Sequence, residues 1–302
     1  MNRNRTYCFL INCSSNAGRS EELFRSKEAF INSNLAHVEF IYIDEEDSIS
    51  EIAAAKAKEY SHIVACGGDG TVNQVANGII ETDSVMGVLP LGSGNDFAQN
   101  IGLNHNFEQN FDTLLNNFTT NIDSVQSEWG YFVNTFGIGV DGLTNFYSSK
   151  SRIKNGKYKY FFGGLKALLL AKPFNARIKI PELKRTLDQK IWMVTIANGK
   201  TEGGKYKISP GSINNDGEVE IIMVRNISRI ELLIEFIKLS LGYSFRTDVV
   251  KVLSTSLGCS VNTEFKTKAH ADGEQAGDKT SYNFKVSKSA LSVVVNPDNY
   301  NK

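Results

Sequence analysis

Residues 67–71, Gly-Gly-Asp-Gly-Thr, contain the residue types that bind a phosphate group. They follow the apolar run 63–66 and precede a segment of helical character at 72–76, so the sequence predicts a turn from a strand into a helix. Glycines let backbone amides approach an anion closely, and a helix N-terminus adds a partial positive charge. The motif predicts a nucleotide-binding loop, with a tight turn around a structural aspartate as the alternative.

No lysine or arginine lies between Lys58 and Lys150. A common ATP-binding loop carries a lysine directly after its glycines, and this motif has none. The charge of a bound phosphate must then be neutralised by backbone amides and by a divalent metal ion. Asp69 is the expected ligand of that ion, or of its bound water.

A second turn of the same kind lies at residues 92–98, Gly-Ser-Gly-Asn-Asp-Phe-Ala. It follows the apolar run 88–91 and again leads into a helix with an acid in the first turn. Two such loops at the carboxyl edge of a parallel sheet face one crevice, where open α/β sheets bind their ligands. The second loop therefore favours nucleotide binding over a purely structural turn.

The elements that must position these loops alternate between strand and helix over about the first 125 residues, which predicts a wound α/β sheet. The predicted strands are 7–11, 38–43, 63–66 and 86–91, and the predicted helices are 19–31, 48–59 and 72–80. The helix at 48–59 is expected to begin with a capping box formed by Ser48 and Glu51.

From about residue 126 the pattern changes to runs of β-branched and aromatic residues separated by turns, which predicts a β-rich, mainly antiparallel, sandwich-like second domain. The runs are 131–136, 176–180, 190–197, 218–224 and 249–253, with helices expected near 158–170 and 229–242. We therefore expect a nucleotide-binding α/β domain at 1–125 and a β-rich second domain at 126–287. A C-terminal strand at about 288–302 could return to the first domain.

The chain has 302 residues and a net charge of zero, which is a cancellation between unlike regions. Residues 39–51 include six acids and no base, whereas residues 150–190 include twelve bases against Glu182 and Asp188. The four cysteines are widely spread and predict reduced thiols in the cytoplasm. No apolar stretch reaches the length of a membrane span, so a cytoplasmic protein is expected, peripheral to the membrane at most.

The glycine motifs belong to a longer pattern. Residues 67–73 and 78, followed by 90–98, resemble the catalytic domain of the diacylglycerol kinase family, particularly its bacterial soluble lipid kinases. Later segments are similar to further motifs of this family in the same order: 122–124, 131–134, 137–141, 197–199, 203–204, 210, 216–217 and 271–274. The resemblance covers nearly the whole chain. It implies that the domain at 1–125 binds ATP and that the domain at 126–287 binds the lipid substrate.

The resemblance implies a set of site residues. ATP would bind at Asn12, Gly67, Gly68, Asp69, Gly70, Thr71, Asn73, Ser93 and Asn95. Asp69, Asp96 and Asp123 would organise a catalytic Mg²⁺, partly through water. Asp272, assisted by Glu274, would take the proton of the acceptor hydroxyl. Asp216, with the carbonyl groups of Ile213 and Glu218, would hold a separate structural Mg²⁺.

The chain departs from the family pattern in two loops. Cys13 and Asn16 replace the usual proline and first glycine of the first loop, whereas Asn12 and Gly18 remain. We expect a nucleotide contact there with altered loop geometry. The threonine that often follows the second strand is also absent, because residues 43–45 are Ile-Asp-Glu.

Three other residues could carry chemistry. His270 lies near Asp272, but residues of a strand alternate between faces, so a bystander histidine is the preferred interpretation. Asp141 could contact a lipid head group or cap a turn. Cys66 is interpreted as a small buried residue.

The basic stretch 150–190 interleaves cations with aromatic residues, which suits an anionic membrane surface or an ordinary exposed face. No fold signature for nucleic-acid binding accompanies it. The residues concerned are Lys154, Lys157, Lys159 and Lys166 with Tyr158, Tyr160, Phe161 and Phe162. A homodimer is also compatible with the sequence.

The resemblance implies an ATP- and Mg²⁺-dependent kinase that phosphorylates a hydroxyl of diacylglycerol or a related lipid. One alternative is a kinase of a soluble substrate, such as NAD kinase or a phosphofructokinase relative, since these use a similar loop. The other is a nucleotide-binding regulator without turnover.

Overall fold

The computed structural model describes residues 5–153 and 156–300, with all side chains except those of residues 16, 17 and 157. Lys154 and the side chains of Asn16 and Lys157, named above, lie outside the described residues. The chain folds as two compact units, the first comprising residues 1–122 and 289–302 and the second comprising residues 123–288.

The first unit contains a parallel sheet in the order β2-β1-β3-β4, which confirms the wound α/β prediction. Val293, near the end of the chain, pairs in parallel with Met86 of β4. The strands are β1 (Tyr7–Asn12), β2 (Val38–Ile43), β3 (His62–Gly67) and β4 (Val85–Pro90). The helices are α1 (Arg19–Asn34), α2 (Ile49–Lys56), α3 (Asp69–Ile79), α4 (Asp96–Asn100) and α5 (Phe107–Asn116), with a 3₁₀ helix at Ser15–Gly18.

Strands β1 and β3 form the centre of this sheet. β3 is buried along its whole length and β1 at every residue except Asn12, because a wound sheet is covered on both faces. Phe9, Val64 and Leu89 lie in the core between these strands and the helices. The order of strands places the ends of β1, β3 and β4, where the glycine motifs lie, side by side.

Two helix predictions for this unit were wrong in detail. Helix α3 begins at Asp69 and not at residue 72, so the aspartate of the glycine motif is in its first turn, where a negative side chain interacts favourably with the helix dipole. Helix α2 ends at Lys56 and not at residue 59. At its start the hydroxyl of Ser48 accepts from the backbone N–H of Glu51 at 3.4 Å, as the predicted capping box requires of Ser48. Helix α5 was not predicted.

The second unit is a β-rich antiparallel assembly in the strand order β11-β10-β9-β7-β12-β13, which confirms the predicted class. Strand β8 pairs with β9 and β12, and β5 with β6. The strands are β5 (Thr119–Ser127), β6 (Gly130–Phe132), β7 (Thr135–Gly139), β8 (Phe174–Lys179), β9 (Leu187–Ala197), β10 (Val219–Arg225), β11 (Val250–Thr255), β12 (Gly258–Ala271) and β13 (Glu274–Val294).

Three helices of the second unit pack on this sheet. They are α6 (Val140–Ser149), α7 (Gly156–Leu170) and α8 (Arg229–Ser240). Helix α8 begins with a complete capping box between Ser228 and Glu231. Helix α6 was not predicted, because the sequence at 137–141 reads as a glycine turn with an aspartate. Among the described residues, no helix is long and apolar enough to cross a membrane.

Replacement of Gly78 by alanine tests the close packing of α2 on α3. Alanine normally stabilises a helix interior by about 1 kcal/mol relative to glycine. Here its Cβ would lie 2.4 Å from the carbonyl oxygen of Ser50 and 2.7 Å from Cβ of Ala53. We therefore expect Gly78→Ala to lower the free energy of unfolding by about 2 kcal/mol in a urea titration.

Gly211→Ala is the matched control, since a Cβ at Gly211 meets no atom within 4 Å. Its free energy of unfolding should change by less than about 0.5 kcal/mol. A Gly78→Ala variant as stable as the parent would contradict the packing described here.

Candidate active site

Hydrogen bonds in the first unit hold together the loops that follow β1, β3 and β4. The side-chain N–H of Asn12 donates to the hydroxyl of Thr71 at 3.0 Å, which connects the first loop to the 67–71 motif. The backbone N–H of Leu91 donates to the carbonyl oxygen of Gly67 at 2.8 Å, which connects that motif to the third loop. Both predicted glycine motifs therefore lie at one edge of the sheet.

The backbones of the two glycine loops touch. A Cβ on Gly92 would lie 2.5 Å from Cα of Gly68, and a Cβ on Gly67 would lie 2.3 Å from the hydroxyl of Thr71. A larger residue at position 92 would separate the loops, and one at position 67 would displace the side chain of Thr71 in the first turn of α3. The glycines thus keep backbone N–H groups accessible beside a helix N-terminus, which is the arrangement that binds phosphate.

Asp69 connects the same two loops through its side chain. Its Oδ1 atom accepts from the backbone N–H of Phe97 at 3.2 Å, in the first turn of α4. Asp96 is buried beside Phe97, and Ser93 is exposed in the turn before it. Two predicted metal-binding carboxylates therefore belong to the first turns of α3 and α4, at the ends of β3 and β4.

The side chains of Asn95 and Asn12 also form hydrogen bonds within their own loops. Asn95 has a left-handed backbone with φ of 55°, and its amide both donates to the carbonyl and accepts from the N–H of Gly92. Asn12 accepts from the backbone N–H and the hydroxyl of Ser14. In the structure both residues shape their loops, which is a role that the sequence analysis did not assign to them.

In the second unit, the carboxylate of Asp272 accepts hydrogen bonds from three consecutive backbone N–H groups and so acts as a clamp on the backbone at residues 133–135. Oδ2 accepts from the N–H of Val133 at 2.8 Å, and Oδ1 accepts from the N–H groups of Asn134 and Thr135, both at 2.9 Å. Asp272 is 5% exposed and has a left-handed φ of 47°. Glu274, predicted to assist it, has an exposed side chain. The two acids of this motif therefore have very different surroundings.

Asp123 has a similar holding role. Its Oδ2 atom accepts from the backbone N–H of Gly217 at 2.7 Å, and its own N–H donates to the carbonyl of Asn214. These bonds hold the loop that carries the predicted structural metal ligands. In that loop Oδ1 of Asp216 accepts from the N–H of Glu218, and Ile213, Asp216 and Glu218 are exposed.

Three buried residues form a cluster that the sequence analysis missed. Nε2 of His270 lies 3.2 Å from Oδ1 of Asp141 and 3.8 Å from Oε1 of Glu202, and all three side chains are at most 4% exposed. The hydroxyl of Thr195 donates to Oδ2 of Asp141 at 2.7 Å. His270 is therefore part of a buried polar cluster with Asp141 and Glu202, and its interpretation as a bystander to catalysis stays a prediction. Nothing in the spacing of residues 141, 202 and 270 indicates that they meet.

Burial shifts the pKa values of all three groups in the cluster. Burial and the neighbouring Asp141 carboxylate raise the pKa of Glu202 well above its usual value, which favours its neutral form. Burial alone would raise the pKa of Asp141, but His270 holds that pKa below its usual value. Burial opposes the charge on His270, whereas the two carboxyl groups favour it and raise its pKa to about 9. The shifts favour an ion pair between Asp141 and His270, with Glu202 beside it.

The ligand atoms of Asp141, Glu202 and His270 lie within 4.8 Å of one another, a spacing that would also accept a divalent cation. Binding of a cation at His270 would require a ring nitrogen without its proton, and the raised pKa of His270 opposes the loss of that proton. The backbone N–H of Gly273 lies 3.3 Å from Nδ1 of His270, so the cluster also borders the turn that carries Asp272 and Glu274.

An apolar pocket lies beside the cluster, and Asp141 forms part of its wall. The hydroxyl of Tyr160 donates to Oε2 of Glu202 at 3.4 Å, and the hydroxyl of Tyr206 has no hydrogen-bond partner among the described residues. The other lining side chains are Val140, Thr144, Leu168, Met193, Ile208, Leu232, Phe236, Leu239 and Phe245. The cavity measures about 40 Å³, so an acyl chain does not fit unless the helices around it move.

Comparisons with known proteins agree with this architecture. Residues 6–127 match the diacylglycerol kinase catalytic domain, and residues 134–295 match the YegS C-terminal NAD kinase beta sandwich-like domain. A diacylglycerol kinase of Bacillus subtilis is 29% identical over 76% of this chain and 77% of its own length. A diacylglycerol kinase of Staphylococcus haemolyticus is 28% identical over 85% of this chain and 78% of its own length.

A solved structure of a diacylglycerol kinase from Bacillus anthracis has the same fold, with a TM-score of 0.75 over 97% of this chain and 98% of that one, at 17% identity. The matches define the class of this protein as a kinase. Within that class, the chain belongs to the diacylglycerol kinase family of lipid kinases. The resemblance inferred from the sequence motifs is confirmed.

Replacement of Asp272 by asparagine tests the backbone clamp. The amide oxygen can keep two of the N–H partners, but its NH₂ group would face the N–H of Val133, so one charge-assisted bond is lost and two donors oppose each other. We expect Asp272→Asn to lower the free energy of unfolding by about 3 kcal/mol in urea. Glu274→Gln, an exposed control in the same turn, should change it by less than about 0.5 kcal/mol. Equal stability of the two variants would contradict the clamp.

The ion pair of His270 predicts a pH dependence of stability. Because the pKa of His270 is raised to about 9 in the folded state, its contribution is complete below the unfolded value near 6.5 and is lost as the pH rises to about 9. Across that window the parent should lose on the order of 3 kcal/mol more unfolding free energy than His270→Gln. Urea titrations at a series of pH values measure the difference. Substitution of the exposed His105 is the control, and an unchanged pH slope in His270→Gln would refute the assignment.

Proposed function

We propose that this kinase transfers the γ-phosphate of ATP, with Mg²⁺, to a hydroxyl of diacylglycerol or a related lipid. The observation that carries the proposal is the cradle of backbone amides that the joined loops of Gly67 and Gly92 form at the start of α3, without a lysine in the segment. The names of the relatives from Bacillus subtilis and Staphylococcus haemolyticus support the lipid acceptor.

The first unit would bind the nucleotide. The backbone of residues 67–71 and the helix dipole of α3 would hold the phosphates, with Asn73 and Ser93 near the same loops. Oxygen ligands from Asp69 and Asp96 suit Mg²⁺. The ion would neutralise phosphate charge that no neighbouring lysine or arginine neutralises in the sequence between residues 58 and 150.

The second unit would supply the base and the acceptor site. Glu274 is exposed, whereas both oxygens of Asp272 accept backbone hydrogen bonds. We therefore assign the proton transfer to Glu274 and a positioning role to Asp272, which holds the turn. In the reaction the acceptor oxygen forms a bond to the γ-phosphorus and the bond to the bridging oxygen of ADP breaks. The hydroxyl proton passes to Glu274.

The lipid would approach the apolar pocket beside Asp141. Its lining is aliphatic and aromatic, with the polar cluster of Asp141, Glu202 and His270 on one side, which suits a molecule with an apolar body and a hydroxyl-bearing head. Asp123 fixes the loop of Asp216, and the oxygen groups of Ile213, Asp216 and Glu218 would hold a second Mg²⁺ with a structural role.

Labelled ATP with Mg²⁺, offered a panel of lipids and NAD, tests the activity. We expect label in diacylglycerol or a related lipid. Glu274→Gln should lower kcat by about a hundredfold or more, because it removes the base, with little change in KM for ATP. Its stability should match the parent, as stated above.

Three results would count against the proposal. Label in NAD with none in lipid would indicate the soluble-substrate alternative. ATP binding without any transfer would indicate a regulator. Full activity in Glu274→Gln would remove that residue from the proton transfer.

A further inference from the structure

The tip of the hairpin that joins β12 to β13 carries Glu274. Asp272 and Gly273 connect the two strands as a turn with φ of 47° and 87°. Both angles are positive, which is the tight-turn geometry for which an Asp-Gly sequence is typical. Glu274 follows as the first residue of β13 and pairs with Ala271. The backbone on either side of Glu274 therefore decides where its carboxylate lies.

The two strands of this hairpin are held differently near the tip. On the β12 side, residues 269–271 pair with β7, and Asp272 binds the backbone of residues 133–135. On the β13 side, a register shift after Lys268 separates the residue pairs next to the turn from the rest of the β12–β13 ladder. A bulge of this kind bends a strand and re-aims its side chains. The direction of Glu274 thus depends on side-chain contacts to the start of β13.

Asn145 of α6 makes such contacts. Its side-chain N–H donates to the carbonyl oxygen of Gly273 at 2.6 Å, and its Oδ1 atom accepts from the side-chain N–H of Gln275. Asn145 therefore binds both the residue before Glu274 and the residue after it. Because side chains alternate along a strand, Gln275 faces α6 and the side chain of Glu274 points to the other face.

Helix α6 lies close enough to β12 for this contact. A Cβ at Gly142 would lie 2.2 Å from the carbonyl oxygen of Lys268, so glycine is required for the approach. Asn145 is in the next turn of the helix and is 8% exposed. Asp141, four residues before Asn145 and on the same face, lies 3.2 Å from His270. Two successive turns of α6 thus contact the hairpin.

His270 also lies next to Gly273, but it is a weaker support. The N–H of Gly273 is 3.3 Å from Nδ1 of His270, and this nitrogen can accept a hydrogen bond only while it carries no proton. The bond from Asn145 is shorter and involves no group that titrates. Since Asn145 is buried and both of its polar groups bind the hairpin, it acts on the chain and not on a substrate.

We propose that Asn145 is a positioning residue for phosphoryl transfer, which holds the carboxylate of Glu274 in the direction from which it takes the proton of the acceptor hydroxyl. The inference rests on the lipid kinase function proposed above and on the role of Glu274 within it. A base acts only within hydrogen-bond reach of the proton, and a displacement of about 1 Å can lower a rate roughly a hundredfold. Loss of Asn145 keeps the base but releases the strand end that aims it.

A double-mutant cycle between Asn145→Ala and Glu274→Gln tests this role. The rate is that of label transfer from ATP to the acceptor found with the panel of lipids and NAD. We expect Asn145→Ala to lower kcat at least about tenfold, with KM for ATP within about twofold of the parent. In a protein that already carries Glu274→Gln, the same substitution should change kcat by less than about twofold, because the group that Asn145 positions is gone.

Gln275→Ala tests the same contact without a change in a buried side chain. Gln275 is exposed, so its truncation preserves the fold while it releases Oδ1 of Asn145. We expect kcat to fall about threefold, and by less than about twofold in the Glu274→Gln protein. If Asn145→Ala does not fold, the cycle of Gln275→Ala with Glu274→Gln decides in the same way.

Ser148→Ala is the matched control on α6. The hydroxyl of Ser148 is buried and donates to the carbonyl oxygen of Thr144 at 2.7 Å, within the helix and away from the hairpin. Its kcat should equal that of the parent. Circular dichroism and thermal unfolding establish that each variant is folded.

Equal losses of kcat from Asn145→Ala in the parent and in Glu274→Gln would overturn the positioning role and leave the proposed function intact. Parental kcat in Asn145→Ala would do the same. Full activity of Glu274→Gln would remove both the base and the residue assigned to position it, while the kinase activity remains. Absence of transfer to every acceptor in the panel would refute the proposed function itself, and the role of Asn145 with it.

Discussion

The turn that carries Glu274 in the second unit depends on one interaction. The carboxylate of Asp272 accepts hydrogen bonds from three backbone N–H groups. This contact interrupts a run of β-branched and aromatic residues, so that β6 ends at Phe132 and β7 begins at Thr135. It also holds Asp272 at a φ of 47°, a conformation that costs energy for a residue other than glycine. The compensation is a fixed turn that exposes Glu274 and brings Gly273 next to His270. The proposed division of roles, with Asp272 positioning the turn and Glu274 accepting the proton, rests on this difference in surroundings.

In the first unit, backbone N–H groups are also important, here for the expected binding of phosphate. It has no lysine in the glycine motifs, so close approach of the chain itself must create the positive potential for phosphate. The contacts of Gly68 with Gly92 and of Asp69 with the N–H of Phe97 make two loops into one surface. This surface includes the carboxylates of Asp69 and Asp96 and no lysine or arginine of the segment between residues 58 and 150. That explains why it would depend on a divalent cation more than a lysine-containing loop does.

Most of the fold could be predicted from the sequence because the strands are specified by local runs of apolar residues. The apolar runs of the strands predicted the bounds of β2 correctly and those of β1, β3 and β4 to within about two residues. Prediction failed where residues distant in sequence decide the structure. Asp141, Glu202 and His270 meet only because α6, the loop after β9 and β12 pack together, and no local pattern encodes that meeting. The turn-like glycines at 137–142 also concealed α6, whose Gly142 lies so close to the carbonyl of Lys268 that a Cβ would clash with it.

The helices α7 and α8 show why charge alone was an incomplete guide to the surface. From its cations and aromatic residues, the basic stretch 150–190 was expected to contact a membrane surface or to be an ordinary exposed face. Helix α8 lies outside that stretch and reads as an ordinary buried helix, since it is apolar on both faces. Only burial separates the side chains that line the pocket from those that face solvent. Arg229 at the start of α8 bonds to the end of α7, and Phe236 stacks on Phe161, so the two helices are antiparallel neighbours. Their exposed apolar side chains therefore lie on adjacent helices, which no pattern within either segment indicates.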